Sequence, residues 1–165
     1  MPDIALMMGS DSDLPALEPG IKLLKELGLS VEARVLSAHR TPTQTQEFIA
    51  AMEKENVKVF ICAAGMAAHL AGAVAAHTPK PVIGIPVASG PMNGTDALHA
   101  TVMMPPGVPV ATVGINGAVN AAILAAQMIG TGNEEVAKKV IEYRYKQTAK
   151  VLEKNKRLQE KLAAL

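Results

Sequence analysis

The chain has almost no aromatic residues: no tryptophan, two phenylalanines and two tyrosines in 165 positions. That leaves no platform for stacking bases or single strands of nucleic acid, and none for the isoalloxazine of a flavin carrier. There is one cysteine, Cys62, so no internal disulfide can form and a reducing compartment suits the protein. Cys62 lies in the apolar stretch VFICAAG and reads as a buried, inert thiol. Charge of one sign is lacking too, with 16 Lys and Arg against 15 Asp and Glu, a formal net charge of +1. Charge-driven binding to nucleic acid or to a membrane surface is therefore not indicated. The balance is uneven, because residues 133–165 hold nine Lys and Arg against five Glu, leaving seven basic and ten acidic residues before them. The N-terminus has no basic segment, and its short apolar run ends in Gly-Ser, which suits a first strand rather than a signal peptide. Residues 59–76 are long and apolar enough to raise a membrane span, but His69, two glycines and a run of alanines make a poor one. A soluble cytoplasmic protein is expected.

What is present is a regular alternation. Apolar runs at residues 4–8, 31–36, 57–64, 81–87 and 109–115 suit short buried strands. Between them lie helix-like segments. SDLPALEPGIKLLKELG offers Ser12 or Asp13 as N-cap and closes at Gly28; TPTQTQEFIAAMEKEN offers Thr41 as cap with Pro42 at the first helical position. MAAHLAGAVAAH and AVNAAILAAQMIG are small-residue helices. Strand and helix in this order predict one doubly wound α/β domain with a central parallel sheet. It spans residues 1–132, with a charged helix free of Gly and Pro in residues 133–165. That helix outruns a five-stranded body, and part of it is expected to pack on another subunit.

In such a sheet ligands gather at the carboxyl ends of the strands, near the switch in strand order. The five strands deliver GSDSD (9–13), SAHR (37–40), AAGMAAHL (63–70), ASGPMNGTD (88–96) and INGAVN (115–120), a polar, glycine-rich set for so apolar a chain. The first runs straight into a helix, so its amides and the hydroxyls of Ser10 and Ser12 can hold an anion; a plain Gly-Ser turn would look the same. It matches neither a dinucleotide fingerprint nor a Walker loop. Asp13 is either a cap or an acceptor for sugar hydroxyls. Arg40 can fork onto a phosphate, with Ser37 adding a hydroxyl, and His39 between them would face the same pocket. An imidazole beside a bound anion holds its proton more firmly. The other reading of this stretch is a surface His-Arg pair ahead of a helix. His69 stands among small residues near Gly65, where backbone can approach a ligand closely, or where helices simply pack tightly. His77 and His99 have no comparable setting. Four scattered histidines and one cysteine give no metal-ligand spacing, and the nine methionines read as core filling.

Taken together, MGSDSDLP, SAHRTP, AAGMAAHLAGAVAAHTPKPVIGIP, MNGTDAL and MPPGVPVATVGI followed by NAAILAAQMI resemble the N5-carboxyaminoimidazole ribonucleotide mutase family of de novo purine synthesis. The resemblance runs in order from Ile4 to Gly130. It implies a flavodoxin-like three-layer α/β/α sandwich in a homo-octamer, with C-terminal helices exchanged between neighbours. It implies an intramolecular transferase that moves a carboxylate from the exocyclic nitrogen of the aminoimidazole ribonucleotide to ring carbon 4, without metal or organic cofactor. Carried across, His39 matches the catalytic histidine. Ser10, Ser37 and Arg40 match residues around the substrate phosphate, and Asp13 the residue on the ribose. Gly65, His69 and Leu70 match the loop around the base and its carboxylate. The sequence departs from the usual pattern at Met66, where a glycine is common, at Ala71, where a proline is, and at Met103, where glutamine is expected. These departures keep open an aminoimidazole ribonucleotide carboxylase that uses CO₂ directly, although HRTP favours the mutase. A non-catalytic nucleotide-binding oligomer is the alternative from another class.

Overall fold

Five consecutive apolar residues are buried in the first strand, β1 (Ile4–Met8), and they feed two different cores. Side chains alternate across a strand: Ile4, Leu6 and Met8 join one cluster, Ala5 and Met7 the other. The computed structural model describes all residues, 1–165. β2 (Val31–Val35), β3 (Val59–Gly65), β4 (Val82–Val87) and β5 (Ala111–Thr112) complete a wholly parallel sheet in the order β2-β1-β3-β4-β5. α1 (Leu14–Glu26), α5 (Ala118–Gly130) and the start of α6 (Glu134–Ala163) cover one face. α2 (Pro42–Lys54), α3 (Leu70–Ala75) and α4 (Thr95–Val102) lie on the other. This is the flavodoxin-like three-layer sandwich that the resemblance implied.

Several elements differ from the sequence reading, each for a local reason. β2 is an exposed edge strand rather than a buried one, with only its first two residues half-covered. β5 shrinks to two residues where seven were expected. Pro109 cannot donate to the ladder just before it, and beyond it only Val113 N–H to Gly84 O (3.0 Å) and Asn116 N–H to Pro86 O (2.8 Å) continue the pairing irregularly. The small-residue segment from Met66 becomes helical only at Leu70. Met66 takes a left-handed φ of 51°, and tight bonds from Ala68 N–H to Met66 O and from His69 N–H to Ala67 O, both 2.8 Å, make a turn of residues 66–69. α4 has no counterpart among the helices expected from the sequence: the loop ASGPMNGTD runs into it, and the left-handed Gly94 stands at its N-cap. No helix is long and apolar enough to cross a membrane; residues 59–76 divide between β3 and α3. Cys62 is fully buried, and burial pushes its thiol well above the ordinary range.

A close helix contact sets a stability prediction. A Cβ on Gly20 of α1 would lie 2.5 Å from Ala118 O and 2.8 Å from Ala118 C on α5. That obstacle is backbone and cannot swing aside. Helix preference favours alanine over glycine by about 1 kcal/mol, but overpacking of this kind costs roughly 3 kcal/mol. Gly20→Ala is expected to lower stability by about 2 kcal/mol and Tm by roughly 6 °C, as thermal unfolding by circular dichroism would show. An unchanged Tm would mean that the two helices separate at little cost.

α6 is a single helix of 30 residues, about 45 Å long. Asn133 caps it through Oδ1, which accepts from Glu135 N–H (3.1 Å) and Val136 N–H (3.2 Å). Only Val136 and Val140 are buried, and Ile141, Tyr145, Val151, Leu152, Leu158 and Leu162 remain exposed beyond them.

Candidate active site

Strand order decides where the polar loops meet. With β1 between β2 and β3, the loops leaving these three strands converge at their carboxyl ends, the switch point of the sheet. They enclose a cleft of about 610 Å³. All nine residues singled out from the sequence line it: Ser10, Ser12 and Asp13 after β1; Ser37, His39 and Arg40 after β2; Gly65, His69 and Leu70 after β3. The loop after β4 contributes Ser89. The loop after β5, expected to add polar groups, does not reach the cleft. Asn116 instead braces the β4 loop, its Oδ1 accepting from Ala88 N–H at 2.9 Å. His77 and His99 do not line the cleft either. No three His, Cys, Asp or Glu side chains converge as metal ligands would.

The β1 loop makes a single 3₁₀ turn, Asp11–Asp13, before α1. Ser10 caps this turn, and Asp13, one of the two expected caps of α1, stands at its N-cap position without a side-chain hydrogen bond to its first turn. Ser12 N–H donates to Ser10 Oγ (3.3 Å), and Ser10 N–H donates to Asp13 Oδ2 (3.2 Å), a reciprocal capping box. The Ser12 hydroxyl reaches Ser10 Oγ at 2.8 Å. Asp13 is only 7% exposed. Burial raises its pKa above the ordinary 3.8, the Ser10 N–H draws it back, and the Asp11 charge raises it again. A carboxyl held above its ordinary value adds stability below that value, and the contribution is lost as pH rises through the folded-state value. Asp13→Asn is therefore expected to be the more stable protein near neutral pH and to lose this part of the pH dependence. Urea midpoints from pH 4 to 7 test it, and a variant less stable than wild type at pH 7 would contradict it.

The β2 turn explains the arrangement of SAHRTP. Ser37 N–H donates to Thr41 Oγ1 (2.8 Å), whose hydroxyl donates back to Ser37 O (3.0 Å). Thr41 thus ties the turn and makes no side-chain cap to α2, the role expected of it. Arg40 N–H donates to Ser37 Oγ (3.2 Å), and Arg40 Nη2 reaches across to Gly9 O (3.2 Å), joining the β1 and β2 loops. Arg40 takes part in none of the four ion pairs, so its charge is free for an anion.

His39 and His69, thirty residues apart, meet across the cleft. His39 Nε2 lies 2.8 Å from His69 Nδ1, with the rings edge to face at 82°. One nitrogen must donate and the other accept, so this geometry holds a single proton between the two rings. Gly65 leaves room for Ser89: a Cβ there would fall on Ser89 Oγ and force that hydroxyl to turn away. Sequence reasoning flagged both histidines but missed their contact and the Ser89 hydroxyl; neither is visible until strand order is known.

Residues 3–150 match the family model described as AIR carboxylase. The chain belongs to the AIR carboxylase family. Among its relatives, the N5-carboxyaminoimidazole ribonucleotide mutase of Thermotoga maritima is 48% identical over 97% of this chain and 94% of its own. The phosphoribosylaminoimidazole carboxylase of Candida glabrata is 46% identical over 96% of this chain, which spans only 28% of that larger protein. The crystal structure of Treponema denticola PurE superposes with a TM-score of 0.86 at 29% identity, covering 94% of this chain and 97% of the other. Family membership and the sheet order agree on the fold.

Proposed function

We propose that this protein is an N5-carboxyaminoimidazole ribonucleotide mutase, which makes 4-carboxy-5-aminoimidazole ribonucleotide in purine synthesis. The observation that carries this reading is full-length likeness to mutases, 44–48% identical over 87–97% of the chain. The cleft supplies groups suited to the chemistry. Arg40, with the Ser10 and Ser37 hydroxyls and the amides of the β1 turn, takes the nucleotide phosphate. Asp13, one step further in, accepts from the ribose, Ser12 completes the hydroxyl wall, and Gly65, His69 and Leu70 surround the base. Binding energy from the phosphate and sugar fixes the ring against His39.

His39 then serves both halves of the transfer. The N–C bond of the carbamate breaks and its electron pair stays on nitrogen, which takes a proton from His39 and releases CO₂ beside the ring. Ring carbon 4 attacks the CO₂, forming the new C–C bond, and the proton on that carbon passes to His39 as the ring regains aromaticity. One proton leaves the imidazole and one returns, so no further acid or base is required. The test offers the purified protein the freshly prepared carbamate, or aminoimidazole ribonucleotide with bicarbonate and CO₂. Product from the carbamate alone supports the mutase. Product from aminoimidazole ribonucleotide and CO₂ alone would make it a carboxylase, and none from either would leave a nucleotide-binding oligomer.

The tail belongs to this proposal. The exposed apolar residues of α6 form two stripes, Ile141, Tyr145 and Leu152, and Val151, Leu158 and Leu162, whose spacing suits packing against other helices. In this reading α6 packs on a neighbouring subunit of a cytoplasmic homo-octamer, and residues 1–132 are the catalytic unit. Deleting residues 151–165 is expected to reduce the assembly to smaller species by light scattering; an unchanged mass would contradict the role given to the tail.

A further inference from the structure

The cleft holds four serines, and three of their hydroxyls are already engaged. Ser12 Oγ donates to Ser10 Oγ (2.8 Å), which also accepts from Ser12 N–H, and Ser37 Oγ accepts from Arg40 N–H (3.2 Å). Ser89, on the loop after β4, takes part in no side-chain hydrogen bond. No buried side-chain oxygen in the chain is left unpaired, so this half-buried hydroxyl opens on the cleft that it lines. Its place is set by its surroundings. Gly65, at the end of β3, leaves the space that it fills, since a Cβ there would fall on Ser89 Oγ. Asn116 braces the loop from behind: its Oδ1 accepts from Ala88 N–H (2.9 Å), and its own N–H donates to Pro86 O (2.8 Å). The β4 loop thus presents one free hydroxyl at a fixed position.

Strand order says which end of a ligand meets it. Arg40 joins the β1 and β2 loops, Asp13 follows β1, and Gly65 and His69 stand at the end of β3; Ser89 lies one strand further, after β4. From β2 to β4 is three strand spacings, about 14 Å, the scale of a nucleotide laid along the strand ends. With the phosphate on Arg40 and the base against His39 and His69, the group furthest from the phosphate reaches Ser89. In the mutase reading that group is the carboxylate. Arg40 is the one permanent cation lining the cleft, and the phosphate occupies it, so the carboxylate oxygens need neutral donors. We infer, on the mutase reading, that the Ser89 hydroxyl donates to this carboxylate and is the specificity-determining group that tells the carboxylated nucleotide from bare aminoimidazole ribonucleotide. No bond within the protein has to break for that contact to form.

The experiment titrates full-length wild type and Ser89→Ala in a calorimeter with 4-carboxy-5-aminoimidazole ribonucleotide and, separately, with aminoimidazole ribonucleotide. Alanine keeps the Cβ and removes a hydroxyl that bonds nothing in the chain, so the variant is expected to fold with the wild-type Tm. Its affinity for the carboxylated nucleotide is expected to fall roughly tenfold, the low end for loss of a hydrogen bond to a charged group. Its affinity for the bare nucleotide is expected to stay unchanged, so the wild-type preference for the carboxylated ligand shrinks by the same factor. Equal losses for both ligands, no loss for either, or a wild type that shows no preference would each overturn the inference and leave the mutase reading standing. A wild type that binds neither nucleotide would remove that reading and this inference with it.

Discussion

Replacing His39 with asparagine is expected to abolish turnover while leaving nucleotide binding nearly intact. Asparagine keeps a hydrogen-bonding group of similar reach but can neither deliver a proton to the amine nor collect one from carbon 4. In the proposed mechanism both halves of the transfer pass through that group, so kcat should fall by about 1,000-fold, within the range for loss of a positioned acid–base group. The same proposal gives the phosphate and ribose contacts to other residues, and the introduced amide can still bond His69 Nδ1. Binding of the product nucleotide, measured by calorimetry, should change only a few-fold. Parallel loss of binding and turnover would instead make His39 part of the substrate clamp. Equal turnover in both proteins would remove it from the mechanism.

Loss of Arg40 acts in the opposite sense. Its guanidinium has no carboxylate partner, and it already spans from Gly9 O, through Nη2 at 3.2 Å, to Ser37 Oγ, through Nε at 3.5 Å. An anion at the mouth of the β1 turn meets it without any ion pair having to break. Arg40→Ala removes charge-assisted bonds worth about 1.5–3 kcal/mol and should lower kcat/KM by about 100-fold, mostly through KM. Arg40→Lys keeps the charge but not the planar fork and should recover only part of the loss. A kcat defect at unchanged KM would place Arg40 at the reacting centre rather than on the phosphate.

The parts of the structure legible from sequence are those fixed by local pattern. β1 and α5 occur where the apolar runs put them, and Pro42 opens α2 as expected. Residues that act within one turn were also legible. Serine, arginine and histidine in SAHRTP belong to one strand end, and all three reach the cleft. Legibility fails where tertiary order decides. The His39–His69 contact needs β2 and β3 to flank β1, which no local pattern states. Residues 66–69 look helical because they are small, yet the left-handed Met66 and the close loops hold them as a turn. β5 looked like a strand of normal length, and Pro109 and the left-handed Asn116 confine it. By composition the methionines look like core filling, and Met7, Met8 and Met52 are buried, whereas Met66, Met92 and Met103 are exposed. Composition cannot separate these groups, because a thioether suits a core gap and a cleft wall equally.

In the proposed reaction one carboxylate moves from nitrogen to carbon within one cleft. Carbamate labelled with ¹³C at its carboxylate, given to the wild-type protein in unlabelled bicarbonate and CO₂, tests it most directly by ¹³C NMR of the product. Label retained on the carbon-4 carboxylate is the expected result, since CO₂ stays beside the ring between the two proton transfers. Product carrying only unlabelled carbon would contradict the claim and would mean that the site draws its CO₂ from solution.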